Sequence, residues 1–268
     1  MSLVFLKLGG SLITDKRGEA ALRPDVLAGV AAEIGAALAA DTALRVVVGH
    51  GSGSFGHVAA QRWRMLDGLV SWRAYAEVGA AAARLNRHVA DALLTAGVPA
   101  VTFQPSASAV AENGRIVEMA LGPLKTVLDG GATPLVYGDV AVDTARSYCI
   151  ISTETIFSYL AARLAPKRII LAGQVDGVYS HDPLQDPLAL PVARLTPSAW
   201  DSVAHTLQGA AGVDVTGGMA SKVRAMLDIV RAQPDVTVHL LSGLRANAIR
   251  DALLGRDLGG TLITADDK

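Results

Sequence analysis

GHGSGSFGH, residues 49–57, follows the mostly apolar run LRVVV at 44–48, and this junction decides how the chain is read. Apolar β-branched residues cut off by glycine mark the end of a buried strand, and a Gly/Ser turn there lets backbone come close to a ligand. Gly51 and Gly53 remove side chains where that approach is made, while Ser52, Ser54 and His57 surround it with donors. An oxyanion, above all phosphate, is the guest this chemistry suits; a plain tight turn is the competing reading of such a segment taken alone.

Two further segments repeat the pattern. KLGGS at 7–11 ends a short apolar strand with paired Gly9 and Gly10 and the hydroxyl of Ser11, and Lys16 and Arg17 follow. DVTGGMASK at 214–222 places Gly217 and Gly218 before an Ala-rich helix that carries Lys222 near its first turn. Helix N-termini concentrate unpaired N–H groups and positive dipole, so an anion is stabilised there before any lysine is counted. Three such turns imply a substrate with several phosphates, or two phosphorylated ligands side by side.

Outward from these turns, strands alternate with helices. Strands are expected at 4–8, 44–48, 99–103, 134–137, 168–172 and 236–241, and helices at 23–40, 70–96, 122–128 and 153–164, with Asn113-Gly114 turning a hairpin. Alternation of this kind gives parallel strands joined by helical crossovers, with ligands beyond the carboxyl ends of the strands, where the Gly-rich turns fall. The Pro-rich piece 181–197 reads as a surface excursion.

The 268 residues, 51% hydrophobic with net charge −1, suffice for a full core in one large domain or two fused lobes. Near-neutral charge and the lack of a basic run argue against a nucleic-acid partner. Cys149 is the single cysteine, which excludes an internal disulfide and fits a cytoplasmic location. Neither a secretory leader nor a membrane span is expected, since Ala-rich stretches such as 26–40 are interrupted by Glu33.

KLGGS, GDV at 138–140, VDGVY at 175–179 and DVTGGMASK together resemble the amino acid kinase superfamily over nearly the whole length. Within it, GGSLITDK at 9–16 with HGSGSFGH at 50–57 resembles the isopentenyl phosphate kinases; fosfomycin-phosphorylating kinases share a similarly placed histidine. The resemblance implies a three-layer αβα sandwich around a mainly parallel sheet: one domain over 1–268, with an acceptor lobe near 1–165 and a nucleotide lobe near 166–268. It implies phosphoryl transfer from ATP, with Mg2+, to isopentenyl phosphate in a cytoplasmic homodimer. No dedicated protein metal ligand is assigned.

On that resemblance, Lys7 and Lys222 serve the transferring phosphoryl and the ATP phosphates, Lys16 reaches the γ-phosphate, and Gly9, Gly10 and Ser11 donate to the same phosphates. Lys7 interrupts an otherwise apolar strand, and a buried ammonium requires an anionic partner; Lys16 reads equally as a solvated loop charge. His57, beside Gly51, Ser52 and Gly53, is assigned to hold the acceptor phosphate, against a helix-capping or core role. Gly138 and Asp139 join the acceptor side, where Asp139 orients lysines, holds magnesium through water, or simply forms a turn. Asp176 is assigned to a turn lining the nucleotide site, and Asp214 to an ATP contact or a cap. Gly217 and Gly218 complete the nucleotide turn. The small-sided segment 79–85 either leaves room for an isoprenoid tail or lets two helices pack, and Trp63, Trp72 and Tyr75 wall a pocket or belong to core and rim.

Three departures from the family pattern stand out. Ser52 replaces the middle of three glycines, IISTETIF at 150–157 replaces an SGDD-like stretch and leaves Glu154 as its acidic residue, and Gly173-Gln174 replaces a TD pair. The last two fall on the nucleotide side. Another small acceptor, or anion binding without catalysis, are the alternative functions; the second would be expected to lose the converging lysines, which this chain retains.

Overall fold

The computed structural model describes residues 2–15, 17–65, 71–181, 183, 186, 188–200, 218–256 and 259–267. Strand β1 (Ser2–Leu8) leads through the turn α1 (Gly10–Ile13) and the helix α2 (Pro24–Ala40) to β2 (Leu44–His50). Next come α3 (Gly53–Arg62), α4 (Trp72–Thr95), the edge strand β3 (Ala100–Thr102) and the turn α5 (Pro105–Ser108). The hairpin β4 (Ala109–Glu112) and β5 (Arg115–Met119) precedes α6 (Leu121–Asp129) and β6 (Thr133–Tyr137). A second hairpin, β7 (Asp139–Asp143) and β8 (Ser147–Ile151), precedes α7 (Thr153–Leu164) and β9 (Arg168–Gly173). The short strands β10 (Val178–Tyr179), β11 (Pro191–Val192) and β12 (Arg194–Leu195) follow, then α8 (Gly218–Ala232), β13 (Thr237–Ser242), α9 (Ala248–Leu253) and β14 (Thr261–Ile263).

Among the described residues the main sheet runs β12-β14-β13-β9-β1-β2-β6-β3, with β13 and β14 antiparallel and the other neighbours parallel. This is the mainly parallel sheet expected from the alternation. Both faces are covered, which explains why its central strands read as continuous apolar runs. In β1, Val4, Leu6 and Leu8 pack with Leu27, Val30 and Ile34 of α2 and with Leu85 and Val89 of α4. Phe5 points the other way, into a core shared with Leu124 of α6, Phe157 and Leu160 of α7 and Met226 of α8. Helices on both faces of one sheet complete the three-layer sandwich.

The period of two has a chemical consequence, because Lys7 shares the parity of Phe5 and so faces α7 and α8. Its register neighbours are Gly49 on β2 and Leu171 on β9.

Two expectations are corrected. Asp139 begins a new strand, β7, rather than forming a turn after β6; at Gly138 the chain leaves the main sheet for a four-stranded sheet, β5-β4-β7-β8. The Pro-rich 181–197 piece is also more than an excursion, since β12 pairs with β14 at the margin of the main sheet and β11 pairs with β10. Strands of two residues are too short to carry a periodic pattern.

Candidate functional site

The carboxyl ends of β1, β2, β6 and β9 open into one cleft of about 1500 Å³. Lys7, Gly9, Gly10, Ser11, Gly51, Ser52, Gly53, His57, Gly138, Asp139, Gly218 and Lys222 all border it. Lys16, Asp214 and Gly217 lie outside the described residues. Asp176 is turned aside: its carboxylate accepts from Ser242 N at 3.0 Å and Arg245 Nη1 at 3.0 Å, while its neighbours Val175 and Gly177 line the cleft.

The first two glycine turns touch. A Cβ on Gly10 would sit 2.6 Å from Gly53 N and 2.7 Å from Gly53 Cα, so no other residue fits there without moving backbone. Each turn is also tied to the sheet, through Gly9 N to Ala172 O at 2.8 Å and Gly51 N to Leu8 O at 3.0 Å. Ser52 has φ −71°, an ordinary value; the positive φ, +51°, falls on Gly53. The serine is therefore compatible with the turn.

Lys7 is 6% exposed and pairs with the Glu154 carboxylate, which is itself buried at the start of α7. Ser152 caps that helix by accepting from Thr155 N at 3.1 Å. Burial pulls the Glu154 carboxyl upward, but the Lys7 charge and hydrogen bond, with the charge of Lys222 behind them, hold it below the ordinary carboxylate value. Both lysines thus act on one carboxylate, which brings strand β1 and helix α8 to a common point.

Beneath the second turn His50 is fully buried. Its ring stacks on Tyr137 at 5.4 Å, its Nδ1 lies 3.0 Å from Gly51 O, and its Nε2 lies 3.1 Å from Asn86 Nδ2. Those partners fix the tautomer, with Nδ1–H donating to the carbonyl and Nε2 accepting from the amide. Burial, only partly offset by the Gly51 bond and reinforced by the Lys7 charge, drives the imidazole pKa down to about 4, so the ring is neutral. The His50 carbonyl accepts from Thr153 Oγ1 at 2.6 Å and from Gly138 N at 2.9 Å, linking the turn to the helix that holds Glu154.

His57 is half-buried on α3 and lines the cleft, as do Ala60, Val78, Ala82 and Ile150, of which Ala60, Val78 and Ile150 pack in one apolar cluster. The small-sided stretch of α4 serves two ends at once. Val78 and Ala82 border the cleft, whereas Gly79 admits the second sheet, a Cβ there lying 3.2 Å from Val140 Cγ2, and Leu85 is core. Trp72, Tyr75 and Tyr148 form a triangle with ring centroids 5.5–5.8 Å apart, in which Trp72 is exposed at the rim. Asp139 Oδ2 accepts from Ser106 N at 3.0 Å and Oδ1 is buried without a partner; burial outweighs the Ser106 bonds and raises its pKa.

Gln174 donates from Nε2 to Ser11 O at 2.8 Å and so braces the first turn. Sequence reasoning noted Glu154 and Gln174 only as departures, and it passed over His50 and Asn86. A carboxylate inside an apolar helix start was the available signal for Glu154. A histidine at a strand end gave no comparable signal, because its partner lies 36 residues away.

The amino acid kinase family model matches residues 2–242. The chain is 36% identical to the isopentenyl phosphate kinase of Methanothermobacter thermautotrophicus, over 98% of this chain and 99% of the relative. A crystal structure of isopentenyl phosphate kinase superposes with a TM-score of 0.81 at 32% identity, covering 97% of this chain and 100% of the other. A substrate complex of an isopentenyl phosphate kinase superposes with a TM-score of 0.75 at 27% identity, covering 97% and 99%.

Proposed function

Since this chain belongs to the amino acid kinase family and, within it, resembles isopentenyl phosphate kinases along its whole length, we propose that it phosphorylates isopentenyl phosphate with ATP. An oxygen of the acceptor phosphate attacks the γ-phosphorus, the bond from that phosphorus to the β,γ-bridging oxygen breaks, and isopentenyl diphosphate and ADP leave. The observation that carries this reading is the contact between the two glycine turns beside the Lys7–Glu154 pair, in a cleft that Ala60, Val78, Ala82 and Ile150 also line.

Phosphoryl transfer needs little covalent work from protein and much positioning and charge. Gly9, Gly10 and Ser11 receive the ATP phosphates, with Gly218, Gly217 and Asp214 on the facing nucleotide turn, and Lys7 and Lys222 neutralise charge that spreads over the transferring oxygens. Glu154 holds Lys7 in place while the phosphates are absent. Lys16 adds charge from the loop after the first turn. The acceptor phosphate is ionised at neutral pH, so no general base is required; His57 donates to it beside Gly51, Ser52, Gly53 and Gly138. Val78, Ala82, Ala60 and Ile150 take the isoprenoid tail.

Magnesium enters with ATP rather than on a protein cage. Among the described residues no cluster of three or more His, Cys, Asp or Glu side chains suits a metal ion; Glu154 is engaged by Lys7, whereas Asp139 accepts from Ser106 through Oδ2 alone and would be the carboxylate able to meet magnesium through water with its Oδ1. A small hard cation is then held by phosphates and water. The division into an acceptor lobe near 1–165 and a nucleotide lobe near 166–268, the homodimer and the cytoplasmic location belong to the same proposal; among the described residues no helix is long and apolar enough to cross a membrane.

The test is ADP release from ATP and magnesium with isopentenyl phosphate, fosfomycin and small carboxylated acceptors in parallel. Selective turnover with isopentenyl phosphate supports the reading; turnover confined to another acceptor would replace the substrate and keep the chemistry.

A further inference from the structure

Thr14 lies outside the cleft wall and is completely buried, yet its hydroxyl joins the two phosphate turns. Its Oγ1 donates to Gly10 O at 2.7 Å and accepts from Ser54 N at 3.0 Å. Gly10 belongs to the turn that follows β1, and Ser54 lies in the first turn of α3, two residues from Ser52 and three from His57. One hydroxyl therefore spans the donor and acceptor halves, using its proton on one and its lone pair on the other.

The surroundings leave it little freedom. A Cβ on Gly53 would fall 2.4 Å from Thr14 Oγ1 and 2.8 Å from its Cγ2, so the second turn is seated directly on this side chain. Thr14 N also donates to Gly10 O at 2.9 Å, and Ser54 Oγ accepts from Ala21 N at 3.1 Å, so the segment after α1 is stitched to α3 at a second point. Ser52, the N-cap of α3, makes no side-chain cap hydrogen bond, and the Thr14 hydroxyl takes up one of the helix's N–H groups from 40 residues away.

We propose that Thr14 is a positioning residue that sets the offset between the two phosphate turns, and thereby the distance and alignment of the attacking oxygen and the γ-phosphorus. It touches neither substrate. This rests on the phosphoryl-transfer reading above, but not on which acceptor is used. Misplacing reacting groups by about 1 Å costs on the order of a hundredfold in rate without weakening either binding contact in proportion. Loss of the hydroxyl should therefore fall on kcat.

The experiment compares wild type with T14V, which keeps the shape and removes the hydroxyl, T14A, which removes it without a second branch, and T14S, which keeps it. For T14V and T14A, kcat should fall about 30-fold with both KM values within about threefold of wild type, and T14S should recover most of the loss. Hydrogen exchange at the Ser54 amide, read on peptides covering 49–62, should accelerate at least about tenfold in T14V and T14A and stay slow in T14S. A role in stability alone would lower Tm in all hydroxyl-free variants and leave kcat intact well below Tm.

The proposal is overturned if T14A and whichever of T14V folds retain kcat, if the loss lies in KM alone, or if Ser54 protection is unchanged. Wild-type silence with isopentenyl phosphate beside turnover of another acceptor defeats the substrate reading only, and the same kinetic comparison then runs on that acceptor. Exchange at Ser54 needs no acceptor, so an unchanged rate in T14V and T14A overturns the proposal even if every acceptor fails.

Discussion

Replacing Glu154 by Gln keeps the shape and a hydrogen-bond acceptor but removes the charge that faces Lys7. Lys7 is 6% exposed and Glu154 5%, so the ammonium left behind has little access to water. Removing one partner of a buried pair costs about 3 to 5 kcal/mol because the other charge stays behind uncompensated. The amide still accepts from Lys7, which places the expected cost at the lower end, about 3 kcal/mol. At about 2 to 4 °C per kcal/mol for a chain of this size, Tm should fall by roughly 6 to 12 °C.

Saturating ATP should close part of that gap, since its phosphates supply the missing negative charge and bind only the folded state. The pH dependence has a defined sign. The Glu154 carboxyl is held below its ordinary value of 4.5, so its contribution is fully present above that pH and disappears as pH falls through the folded-state value. Wild type and E154Q should therefore differ by a constant amount from pH 7 to 5 and converge in stronger acid. Thermal melts with and without ATP across this range, together with steady-state kinetics, make the test. An E154Q protein as stable as wild type, with the same kcat, would refute the argument that this pair anchors Lys7.

For H57A, KM or Kd for the acceptor should rise about 10- to 150-fold, the loss of one charge-assisted bond of about 1.5 to 3 kcal/mol, with ATP affinity within about threefold; equal losses on both ligands would contradict the assignment. G10A should abolish most turnover, because its methyl meets Gly53 N at 2.6 Å and pushes the turns apart; an active, normally stable G10A would show that their contact is dispensable. His50 is neutral when folded, with its pKa near 4 against an ordinary 6.5, so its contribution to stability is present above pH 6.5 and is lost as pH falls toward 4. The loss should reach about 3 kcal/mol, and urea unfolding of H50N should show a flatter pH profile over this interval than wild type.

What was legible in the sequence was whatever depends on near neighbours. Apolar runs ending in glycine located β1, β2 and β9 and the turns beyond them, and the Ala-rich run opened by Pro24 located α2. The departure of the chain from the main sheet at Gly138 was not legible, because β7 starts at Asp139, with Gly138 alone between it and the end of β6, and its Val140-Ala141-Val142 reads like a continuing apolar strand. Of the site, the lysine that breaks β1 announced itself by the cost of burying it. Its partner is 147 residues away, and a glutamate in place of the family's acidic pair looked like a loss until the fold brought it to Lys7.

The departures on the nucleotide side then make physical sense together. A longer carboxylate at Glu154 reaches the strand lysine from the start of α7, and Gln174 replaces an acidic residue with an amide that ties down Ser11 instead of adding negative charge. The neutral His50 ring places no positive charge beside Lys7 and spends its single proton on the Gly51 carbonyl. Among the described residues, Lys7 and Lys222 both act on the one carboxylate of Glu154, a net positive balance for phosphate to satisfy. In the proposed assignment the acceptor end is built from α3, α4 and the second sheet, apart from the lysines, so Val78, Ala82 and Ile150 can vary without touching Lys7. Substitutions there should change which tail is accepted while leaving the charge arrangement around Lys7 intact.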